Sequence, residues 1–70
     1  MNRRKVLKTL GEKIRALRLR RHLTQQQLAE ALGLSVAYVS LIERGGRNPP
    51  FTTVVAIAFA LKTSPRELCG

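Results

Sequence analysis

Seventy residues suffice for one small domain, and a chain this short buries only about 60% of its unfolded surface, so its core is thin. The single cysteine, Cys69, excludes an internal disulfide, no Cys/His cluster offers a metal site, and no apolar run approaches the ~20 residues of a membrane span. Thirteen Lys/Arg against four Asp/Glu leave +9, which draws polyanions and makes nucleic acid or an anionic membrane surface the expected partner.

The N-terminal segment, residues 1–8, is basic (Arg3, Arg4, Lys5, Lys8), and reads either as a free arm or as an extension of the first helix. Thr9 and Glu12 have capping-box spacing, and Leu10, Ile14 and Leu17 recur at helical spacing toward Arg21. Thr24 and Gln27 form a second capping box, opening a short helix through Leu28, Ala29 and Leu32 that Gly33 ends. Ser35 caps a third helix, running through Val39 and Ile42 to Gly45-Gly46. Asn48-Pro49-Pro50 blocks that helix and permits a new one over residues 52–61. Ser64-Pro65-Arg66-Glu67 is a third capping box, opening a short last helix. No segment alternates at period two, so the fold class is all-α.

Enzymatic chemistry finds no support. His22 stands alone after a basic helix, and no Ser/His/Asp set, carboxylate pair or glycine-rich phosphate loop is present. No enzyme activity, cofactor, metal or small-molecule ligand is expected. A reducing, cytoplasmic setting is.

Residues 25–44 carry the most information. Two short helices joined at Gly33 have the build of a helix-turn-helix, with Ala29 small at the crossing and Leu28, Leu32, Val39 and Ile42 as the buried seam. The stretch TQQQLAEALGLSVAYVSLIERGGRNP resembles the helix-turn-helix of the lambdoid phage repressor and Cro group, which includes the xenobiotic-response-element type of bacterial regulators. The resemblance runs from about Leu10 to Leu68, taking in LGEKIRALR before the motif and SPREL after it. It implies a compact five-helix, lambda-repressor-like domain over residues 9–69. It also implies a nucleoid-associated, homodimeric regulator of transcription, a repressor or an autoregulatory controller like those of restriction–modification genes.

In such proteins the second motif helix enters the major groove while the first crosses the backbone. Carried onto this chain, the resemblance places Val36, Ala37, Ser40 and Leu41 nearest the bases. It assigns Gln25, Ser35, Tyr38, Arg44 and Arg47 to the DNA backbone, with Arg3 and Arg4 of the basic segment beside them. It also pairs Arg18 with Glu43 as a buried ion pair. Valine, alanine and leucine can only touch thymine methyls or exclude bases by shape, so hydrogen-bonded readout is sparse.

Residues 51–61, FTTVVAIAFAL, carry no charge. Phe51, Val54, Ile57, Ala58 and Leu61 share one helical face and are expected in the core. Ala56 and Phe59 lie off it, so a homodimer interface through Ala56, Phe59 and Pro65, with an inverted-repeat operator, is expected. Two other readings stay open. The motif could serve protein–protein contacts with weak DNA specificity, or the basic helix over 3–21 could lie on an anionic membrane.

Overall fold

Four of the five helices begin at a side chain that accepts from a free N–H of the first turn, the fourth helix being the exception. Asn2 Oδ1 accepts from Arg4 N at 2.9 Å and from Lys5 N at 3.4 Å. Thr24 and Gln27 form the reciprocal capping box, with Gln27 N to Thr24 Oγ1 at 3.0 Å and Thr24 N to Gln27 Oε1 at 2.9 Å. Ser35 Oγ accepts from Tyr38 N at 3.1 Å. The computed structural model describes the backbone of residues 2–69 and the side chains of residues 2–68. Over that range the elements are α1 (Arg3–Arg20), α2 (Gln25–Leu32), α3 (Val36–Glu43), α4 (Phe51–Ala60) and α5 (Pro65–Cys69), with no strand among the described residues.

The basic N-terminal segment is therefore helix from Arg3 onward; Met1 lies outside the described residues. The capping box expected at Thr9 does not form. Asn2 already supplies the cap, Leu7 and Leu10 continue the apolar stripe, and the Thr9 hydroxyl donates back to Lys5 O at 2.9 Å inside α1. At α5 only the hydroxyl half of the expected box is present, with Glu67 N donating to Ser64 Oγ at 3.3 Å. The fourth helix starts one residue earlier than expected, because Pro50 itself serves as the N-cap.

The first four helices stop in one way. Each has a left-handed residue just past its end, with paired 6→1 and 5→2 backbone bonds. After α2, Gly33 (φ 68°) turns so that Leu34 N reaches Ala29 O at 2.9 Å and Gly33 N reaches Glu30 O at 3.2 Å. After α3, Gly45 (φ 78°) does the same for Leu41 and Ile42. After α1 and α4 the left-handed residues are His22 (φ 58°) and Lys62 (φ 56°), where a side chain makes that conformation costly.

The core holds Ile14, Leu28, Ala29, Val39, Ile42, Val54, Ile57, Ala58, Leu61 and Leu68, flanked by Leu10, Leu17, Leu23, Leu32, Leu34 and Tyr38. Phe51 is not in it. As the first residue of α4 it projects into solvent, 67% exposed, and the neighbouring Pro49 is buried instead. Helix α1 packs against α3 through Gly11, where an added Cβ would collide with the Ile42 and Glu43 carbonyl oxygens. Gly45 lies as close to α1, where a Cβ would come 2.9 Å from Lys8 Cα. Arg21 ties the C-terminal end of α1 to that of α4, donating from Nε to Leu61 O at 2.9 Å and from Nη2 to Lys62 O at 3.2 Å. No helix among the described residues is long and apolar enough to cross a membrane.

Candidate nucleic-acid interface

The Schellman turn at Gly33 fixes α3 across α2, with Val39 and Ile42 inward and the first turn of α3 outward. Val36, at 41%, and Ala37 are both exposed. Ser40 and Leu41, one turn further along, are half-buried. Leu41 packs its side chain close to Gly46.

Two shallow grooves flank this helix and share two residues. One is lined by Gly33, Leu34, Ser35, Ala37, Tyr38, Leu41 and Arg47. The other is lined by Arg3, Arg4, Leu7, Tyr38, Gly46, Arg47 and Asn48. Tyr38 and Arg47 therefore join the exposed face of α3 to the N-terminal cations of α1 in one surface. The close approach of Lys8 to Gly45 brings the start of α1 there. Tyr38 is half-buried against the core, so its ring serves packing as well as the groove wall. Arg44 and Arg47 are exposed, and Arg44 Nε only grazes Ser40 O at 3.4 Å.

Arg18, Glu43 and Gln25 form a polar triad, Arg18 and Glu43 buried and Gln25 half-buried. Arg18 donates from Nε to Glu43 Oε2 at 2.7 Å and from Nη2 to Glu43 Oε1 at 3.1 Å, and both residues are 6% exposed. Arg18 Nη1 donates to Leu23 O at 2.8 Å, which locks the α1–α2 turn to the same group. Gln25 Nε2 donates to Glu43 Oε1 at 3.1 Å. The amide of Gln25 is thus anchored inward, with one side-chain N–H left for another acceptor. Spacing gave no sign of that anchor, because it spans eighteen residues. Ser35 is likewise engaged: its oxygen caps α3, while its hydroxyl proton remains free to donate. Of the three residues expected at a dimer interface, Phe59 is 77% exposed, Ala56 is exposed and Pro65 is half-buried.

Residues 14–68 match the protein-family model described as Helix-turn-helix. The chain is 49% identical over 62 residues to the immunity repressor protein of Bacillus phage phi105, covering 89% of this chain and 43% of that one. It is 41% identical over 59 residues to the control protein C.SmaI of Serratia marcescens, covering 84% of this chain and 70% of that one. Its structure superposes with a TM-score of 0.85 on the restriction-modification controller protein C.AhdI of Aeromonas hydrophila, at 40% identity over 89% of this chain and 94% of that one. A match over 55 of 70 residues, with a fold that superposes at a TM-score of 0.85, establishes that the chain belongs to the helix-turn-helix family.

Proposed function

We propose that this helix-turn-helix regulator of transcription binds an inverted-repeat operator as a homodimer, with α3 in the major groove of each half-site. The observation that carries the reading is the continuous surface joining Ala37 and Leu41 to Arg3, Arg4 and Arg47 through Tyr38. Val36, Ala37, Ser40 and Leu41 face the bases, and Ser40 is the one hydrogen-bonding side chain among them. Gln25, through its remaining N–H, Ser35, Tyr38, Arg44, Arg47, Arg3 and Arg4 hold the phosphates on either side. The relatives named as a repressor and as controller proteins support a role in repression or autoregulation.

Arg44→Ala is expected to weaken binding equally on operator and random duplexes, since phosphate contacts position the protein without reading sequence. Its salt dependence should flatten by about one unit. Gln25→Ala should also weaken both duplexes, yet leave the slope almost unchanged because the residue is neutral. Fluorescence anisotropy titrations over a range of salt concentrations check both, and an Arg44→Ala protein with wild-type affinity and slope contradicts the assignment.

The uncharged outer face of α4 supports the dimer. The interface is formed by Phe59, Ala56 and Pro65, and Phe51 and Val55, eight and four residues before Phe59, extend its apolar stripe. A two-fold axis there would set the recognition helices about 34 Å apart, one turn of DNA. Phe59→Lys is expected to give a folded monomer that binds a half-site weakly. Sedimentation of the wild type as a monomer at high micromolar concentration, or of Phe59→Lys as a dimer, overturns this.

A further inference from the structure

On the side of α1 away from α3, a groove of about 630 Å³ runs between α1 and α5, and no residue of α2 or α3 lines it. Its walls are Lys13, Ala16, Leu17 and Arg20 of α1 and Arg66 and Glu67 of α5. The α1 residues fall at i, i+3, i+4 and i+7, the stripe along which one helix receives another. Ala16 is exposed and small, so a second backbone can come close, and the half-buried Leu17 supplies an apolar floor. Three cations surround that floor, and among the described residues none has a carboxylate within 4 Å, Arg18–Glu43 being the one salt bridge there.

We propose that this groove receives an acidic amphipathic helix of a protein partner. An apolar side chain of that helix packs on Ala16 and Leu17, and its carboxylates meet Lys13, Arg20 and Arg66. Nucleic acid fits less well, because a phosphate backbone has nothing to place on the apolar floor of Ala16 and Leu17. None of these residues belongs to the proposed DNA surface, so the two partners can bind together.

The test uses a synthetic helical peptide of Glu, Ala and Leu with its leucines along one face, added to ¹⁵N-labelled full chain already saturated with a DNA duplex. The expected result is saturable amide shifts centred on Lys13, Ala16, Arg20 and Arg66 while the duplex stays bound. Arg20→Glu and Arg66→Glu, both at exposed positions, should each weaken the peptide about tenfold. Ala16→Gln should weaken it without a change of charge, and a leucine-free Glu/Ala peptide should bind poorly. Shifts confined to the α3 face, displacement of the duplex by the peptide, or a duplex that shifts these α1/α5 residues in place of the peptide would each overturn the proposal. So would indifference to both charge reversals. Failure of DNA binding itself, read in the duplex titration that precedes the peptide, is a separate result and bears only on the preceding section.

Discussion

Glu43→Ala is expected to destabilise the domain by about 3–5 kcal/mol, the usual cost of removing one partner of a buried ion pair. Arg18 and Glu43 are both 6% exposed and are joined by two hydrogen bonds, so truncation leaves a guanidinium buried beside the Leu23 carbonyl alone. Gln25 loses its anchor in the same step, so DNA affinity should fall as well, even where the variant is fully folded. A double variant, Arg18→Met with Glu43→Leu, should recover most of the stability, because an apolar pair of similar volume avoids the desolvation penalty. It should not recover the affinity. Urea unfolding monitored by circular dichroism checks the first claim, and a loss below about 0.5 kcal/mol for Glu43→Ala contradicts it.

Gly11→Ala should be nearly as damaging, at about 3 kcal/mol, the upper end of the usual range for overpacking. On an isolated helix the same change would gain about 1 kcal/mol, so the sign of the effect decides whether packing or propensity wins. The added methyl would meet main-chain carbonyls of Ile42 and Glu43, which cannot rotate aside as a side-chain tip can. Relief requires α1 to move off the end of α3, which also parts Lys8 from Gly45 and draws Arg3 and Arg4 away from Arg47. Thermal unfolding checks the stability. A Gly11→Ala protein as stable as the wild type would rule out the close crossing.

Local chemistry made much of the fold legible. The Thr24–Gln27 box, the Ser35 cap and the Gly33 and Gly45 turns are short-range patterns whose residue types have no equally good alternative use, and the structure uses them as such. Thr9 shows the limit of that reasoning. Its capping-box spacing is real, but Asn2 offers an earlier start, and a continuous apolar stripe carries the helix through Thr9. The ends of α1 and α4 are legible to within a residue, but not the left-handed turns at His22 and Lys62, because neither residue type favours that conformation. Arg21 holds the Leu61 and Lys62 carbonyls, and Leu23 and Thr63 complete the 6→1 bonds. Phe51 misled because helical phase alone places it near the core face, while its position at the very start of α4 carries it past the edge of the core. For the candidate interface, the exposed positions of α3 followed from the motif. The engagement of Gln25 with Glu43, and the joining of α1 to the α3 face through Tyr38 and Arg47, depend on how separate helices pack.

Selection of bound sequences from a random duplex pool at physiological salt tests the central claim most directly. A dimer reading DNA through α3 should enrich an inverted repeat whose half-site centres lie about 34 Å apart, one turn of the duplex. Enrichment should centre on the half-sites, with thymines prominent opposite Val36, Ala37 and Leu41, whose apolar side chains favour methyl groups. A recovered pool with no enriched sequence, or with a single unrepeated site, contradicts the account.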